Sequence, residues 1–179
     1  METTQEFYQF KNRQEYLKAL DSVMPEKYHQ TRKLGGGRTQ KYLPIPIQEA
    51  VADMVFQEWN VVDETYQIFV NEIHCTVKLV YTPSYPGAEE RFCTGSASKP
   101  IQMSSGSKIS DFPGSKIQNA LEYNVPSVKK TAIGNALEGL GNIFGRNIGR
   151  KIEGQELPAN FKLRTYGEKE KEGNSNGKS

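Results

Sequence analysis

The stretch "VPSVKKTAIGNALEGLGNIFGRNIGRK", Val125 to Lys151, decides what kind of fold this chain can adopt. Val128, Ala132, Ile133, Ala136, Leu137, Leu140, Ile143 and Phe144 recur at helical spacing, which predicts an amphipathic helix running to about Phe144. Gly134, Gly139, Gly141, Gly145 and Gly149 interrupt it. Each glycine costs about 1 kcal/mol relative to alanine in a helix interior, so tight packing has to supply the difference. Gly141, Gly145 and Gly149 recur every fourth residue, on one predicted helical face. There the missing side chains would let another backbone approach closely, on a sheet or on a neighbouring subunit.

The sheet for that helix to cover lies upstream. "TYQIFVNEIHCTVKLVYTP" is rich in β-branched and aromatic residues. Within it Ile73, Cys75, Val77, Leu79 and Tyr81 alternate with polar neighbours, the period of a half-buried strand. "TPSYPGAEE" reads as a turn and "RFCTGSAS" as the third strand of an antiparallel meander. His74 falls on the wet phase and reads as a surface histidine, since no Ser or Cys nucleophile motif accompanies it. Residues 99–125 read as loop, with a short helix near Ile117 to Leu121.

Nearer the beginning, "NRQEYLKALDSVMP" places Tyr16, Leu17, Leu20, Val23 and Met24 on one helical face and is expected to stop at Pro25. "PIQEAVADMVFQEW" repeats the pattern through Ile47, Ala50, Val51, Met54 and Val55, with Pro46 suited to a first helical turn. Between these two predicted helices lies "RKLGGGRTQKYLPIP", Arg32 to Pro46, in which four cations and no acid surround three consecutive glycines. The segment "YGEKEKEGNSNGKS" has no apolar residue beyond Tyr166 and is expected to be disordered.

Composition narrows the function. The 179 residues suit one domain, and no apolar run is long enough for a membrane helix. "METTQEFYQFKNRQ" lacks the apolar centre of a secretory signal, so a cytoplasmic protein of a bacterial or phage-infected cell is expected, without a membrane partner. Cys75 and Cys93, with His29 and His74, are too few and too scattered for a disulfide framework or a zinc site. Net charge is only +2, but it is unevenly distributed. Besides Arg32, Lys33, Arg38 and Lys41, a second basic segment holds Lys129, Lys130, Arg146, Arg150 and Lys151 against Glu138 alone. Brought together by the fold, the two would form one cationic stripe; apart, each is an ordinary solvated surface. The glycines do not follow the G-x-x-x-x-G-K-[ST] spacing and no carboxylate cluster suggests Mg²⁺, so phosphate chemistry is not expected, nor any cofactor.

The order of parts, with "PEKYHQTRKLGGGRTQKY", a helix ending in tryptophan, a β-meander and then "ALEGLGNIFGRNI", resembles the annealing domain of the Rad fifty-two family, including phage single-strand annealing proteins of the Sak type. The resemblance spans roughly residues 14–152. It implies an α+β fold in which an antiparallel β-meander is packed by the long Gly-rich helix, a β-β-β-α core with N-terminal helices. Residues 1–164 would be the annealing domain and 165–179 a tail.

It further implies a homo-oligomeric ring or helical filament that binds single-stranded DNA and anneals complementary strands in recombination and repair. No nucleotide is hydrolysed, and an exonuclease or single-strand-binding protein is the implied companion. A protein that coats single-stranded DNA or RNA without annealing it would use the same cations. By resemblance Arg32 occupies the place of an arginine that contacts DNA, and Tyr42 that of a tyrosine along the same groove. Lys33, Arg38, Lys41, Lys129, Lys130 and Arg146 are further candidates by charge and placement. The main helix departs from the family pattern, with Gly134, Asn135 and Glu138 where the eukaryotic protein carries bases.

Overall fold

In a computed structural model, residues 8–33 and 35–148 are described. The core is a three-stranded antiparallel meander of β3 (Phe56–Phe69), β4 (Glu72–Pro83) and β5 (Arg91–Pro100), in the order β3-β4-β5. One long helix, α3 (Ala120–Glu138), packs on it. The chain is therefore α+β, as the alternation along Ile73 to Tyr81 predicts. All five of those side chains are buried, while His74 stays at the surface between the Ser98 and Thr76 hydroxyls. Ile73, Val77, Leu79 and Phe144 are at most 2% exposed, and burial of each contributes roughly 1.5–3 kcal/mol.

The closest approach of helix and sheet depends on Gly95 in β5. A Cβ there would lie 2.3 Å from the Ala132 carbonyl oxygen and 2.4 Å from the Ala136 nitrogen. A glycine does allow this contact, but it belongs to the strand and is none of the helix glycines expected to do so; the facing positions on α3 are alanines. Two side chains of α3 also hold the outer edge of β5: Asn135 Nδ2 donates to the Ser96 carbonyl (2.7 Å) and Asn124 Nδ2 to the Pro100 carbonyl (2.9 Å).

The helix differs from its predicted limits at both ends. It begins at Ala120, so the signal near Ile117 to Leu121 is its first turn and not a separate short helix, and it carries Pro126 inside. It ends at Glu138. Beyond it Gly141 is extended (φ 172°), and any side chain there would strike the Leu20 carbonyl, 2.4 Å from an added Cβ. Gly145 is left-handed (φ +95°), against Leu43. These two glycines thus share no helical face. They shape a 3₁₀ turn that drives Phe144 fully into the core, and Gly149 lies outside the described residues. The same is true of Arg150, Lys151 and the segment 165–179 expected to be disordered.

The N-terminal elements also need correction. Helix α1 (Arg13–Asp21) is started by Asn12, whose Oδ1 accepts from the Gln14 and Glu15 amides, and it stops at Ser22, ahead of Pro25. Val23 therefore lies past its end and is 62% exposed, and Met24 follows it. Helix α2 (Ile45–Val55), with Pro46 in its first turn, gives way directly to β3 at Phe56. Trp59 is a strand residue, and does not end a helix. The buried face of α2 is Gln48, Val51, Ala52 and Val55; Ala50 and Met54 face outward. The glycine stretch does not simply join two helices. It is the tip of a second antiparallel hairpin, β1 (Gln30–Lys33) with β2 (Thr39–Tyr42), where Gly36 and Gly37 take positive φ (72° and 74°) as such a tight reversal requires.

Candidate nucleic-acid interface

The hairpin register sorts its side chains by face. Gln30 opposes Tyr42 and Arg32 opposes Gln40, while Thr31 opposes Lys41 and Lys33 opposes Thr39. Because successive residues of a strand point to opposite sides, Arg32, Gln40, Gln30 and Tyr42 share one face and Lys33 stands on the other. On the first face the side chains are interlocked. Arg32 Nε and Nη2 both donate to Gln40 Oε1 (3.1 and 2.8 Å), the guanidinium lies 5.4 Å from the centre of the Tyr42 ring, and Tyr42 donates to Gln30 Oε1 (3.1 Å). The ring and a single amide oxygen thus orient Arg32 through Nε and Nη2.

This hairpin forms one wall of a cleft of about 370 Å³. The opposite wall is the face of α3 bearing Thr131, Gly134, Asn135 and Glu138, and Arg146 reaches it from the turn after α3. The two basic segments, distant in sequence, thus meet through Arg32 and Tyr42 of the first and Arg146 of the second; Lys41 borders the cleft, but by strand register its side chain is on the face of Lys33. Lys41 is partly committed, its ammonium 3.1 Å from Glu26 Oε1. That hydrogen bond holds the Glu26 carboxyl below its ordinary range. Both partners are well exposed, so the pair adds little to stability.

The other candidates lie outside the cleft lining. Lys33 and Arg38 are exposed, one behind the hairpin and one at its tip. Lys129 is paired with Glu64 of β3, and Lys130 is exposed on α3. The face of α3 inside the cleft carries no cation.

Sequence reasoning missed Gln48. It is only 1% exposed and ties three elements together, Nε2 donating to Glu138 Oε1 (3.2 Å) on α3 and to the Phe144 carbonyl (3.0 Å) ahead of Arg146. Its Oε1 is buried with no hydrogen-bond partner and faces Gly134, where an added Cβ would come within 2.8 Å of it. Gly134 therefore makes room for the glutamine that holds the cleft's floor. Nothing in the sequence could have marked it, since a glutamine in a helix reads as surface.

Among the described residues no group of His, Cys, Asp and Glu could hold a metal ion, and no helix is long and apolar enough to cross a membrane. The chain matches no protein-family model and no curated protein.

Proposed function

We propose that this cleft binds single-stranded DNA and that the protein anneals complementary strands without ATP, as a homo-oligomeric ring or helical filament of the Rad fifty-two type. One observation carries the reading: Arg32 and Tyr42 of the hairpin and Arg146 beyond α3 line the same cleft. A clamped guanidinium, a second arginine and an aromatic ring in one concavity suit a polyanion whose sugars or bases offer a flat face. The α+β core, with a long helix on an antiparallel meander, is the core that the resemblance implies.

Annealing follows from how such a strand is held. Cations grip phosphates, which carry no sequence information, so the pairing edges stay free to test a complement. In this reading the hairpin and Arg146 make the grip, since the face of α3 in the cleft carries no cation. Stopped-flow pairing of two labelled complementary oligonucleotides, with no nucleotide added, tests the function. The protein is expected to accelerate pairing; a protein that binds each strand yet slows pairing is a coat protein, the alternative that the same cations would serve.

A further inference from the structure

We infer that the bound strand leaves the cleft along α3 and that Lys99, on β5, is a second phosphate contact at the far end of that path. The inference rests on the binding reading above and extends it to a residue outside the cleft. Ser127, Thr131, Asn135 and Glu138 follow one another at intervals of four, four and three residues, so they form a single polar stripe on α3. Thr131, Asn135 and Glu138 are already in the cleft. Ser127 continues the line beyond it, and its Oγ accepts from Lys99 Nζ at 2.5 Å.

The stripe runs beside β5. Asn135 meets the Ser96 carbonyl and Ser127 meets Lys99, so a helix and the outer edge of a sheet flank the track. From Ser127 to Glu138 the axial rise is ~16 Å. That is about five phosphates at the duplex spacing of ~3.4 Å, and fewer in a stretched strand.

Lys99 is suited to the role by its surroundings. It is half-buried, directed by one hydroxyl, and has no carboxylate partner among the described residues. Lys129, on the same helix as Ser127, is instead neutralised by Glu64. A hydroxyl orients the amine without pairing it to an opposite charge, so Lys99 is left to face an anion passing along the stripe. The ligand is the phosphodiester backbone of an unpaired strand.

The test is the salt dependence of binding to a dT oligomer of about ten nucleotides, long enough to span cleft and stripe, read by anisotropy. Lys99→Gln is expected to weaken binding and to reduce the log-log salt slope by about 0.7 per protomer, with Lys99→Arg restoring it. Ser127→Glu, which sets a carboxylate against the ammonium, is expected to act like Lys99→Gln, so the inference survives a failure of either variant to fold. A parent protein that binds while both folded variants keep its slope overturns this inference alone. A parent that takes up no oligonucleotide overturns the binding reading beneath it.

Discussion

At the scale of single residues, Arg32 illustrates how a surface cation becomes part of a site. Its position opposite Gln40 and diagonal to Tyr42 follows from strand register, and in the proposed complex those two neighbours would spare it much of the entropy loss of being fixed by a ligand. Arg32→Ala is expected to weaken binding of an unpaired oligonucleotide by about 1.5–3 kcal/mol, roughly ten- to a hundred-fold, as for a charged hydrogen-bond donor. Arg38→Ala, at the exposed hairpin tip, is expected to change affinity far less. Equilibrium anisotropy titrations of the two variants decide it, and equal losses would mean that the strand does not lie in the cleft. A different residue bears backbone strain. Val70, in the turn between β3 and β4, has φ +53° and is 67% exposed, an unfavourable conformation for a β-branched side chain with nothing to bury. Val70→Gly should raise stability by about 1 kcal/mol, measurable as a shift in the urea midpoint.

At the scale of elements, the helix-on-sheet contact is governed by Gly95. Gly95→Ala forces a methyl into the backbone of α3 at Ala132 and Ala136, neither of which can rotate away. A destabilisation of about 3 kcal/mol is expected from thermal or urea unfolding; a change near zero would show that α3 does not lie so close to β5. Burial in this region also sets an alkaline limit. It pushes the Cys93 thiol from 9.0 up to about 11 and raises the Tyr16 phenol far above its ordinary value. Between those limits the unfolded chain has released protons that the folded one retains, so stability should fall as pH rises from about 9 through about 11 and beyond. Urea midpoints at about pH 8 and about pH 10.5 test this, with Cys93→Ala expected to flatten part of the slope.

These elements were unequally legible in the sequence. β4 could be read because its two faces meet opposite environments, one against α3 and one wet, and alternation records that difference directly. The region after Glu138 could not. Leu140, Ile143 and Phe144 continue a helical rhythm, yet the helix ends at Glu138 and Gly141 is extended against Leu20, a contact between residues far apart in the chain. The helix limits at Asp21 and Val55 were misjudged for a related reason. Val23 matches the helical period but is exposed past the end of α1, while Phe56 to Trp59, which extend the apolar pattern of α2, are strand residues. The hairpin was hidden because β1 and β2 are only four residues each and mostly polar, β1 being exposed throughout, so neither carries an apolar alternation to read.

At the scale of the whole molecule, the topology unites what the sequence separates. The first basic segment lies on a hairpin before α2 and the second flanks the end of α3. Gln48 of α2 fixes their relative placement by bonding to Glu138 and to the Phe144 carbonyl. The resemblance singled out Arg32 and Tyr42, and charge and placement Lys41 and Arg146; all four border the cleft. Neither could separate these from Lys33, Arg38, Lys129 and Lys130, because which side of a hairpin or helix faces the cleft is a property of packing.

The most direct test of the account is the uptake of a labelled unpaired oligonucleotide at rising salt, for the parent and for Arg32→Ala with Arg146→Ala. The account predicts tight binding at low ionic strength, a linear log-log salt dependence, and a slope reduced by roughly 1.4 when both arginines are removed. Binding indifferent to salt, or unchanged without the two arginines, would contradict it.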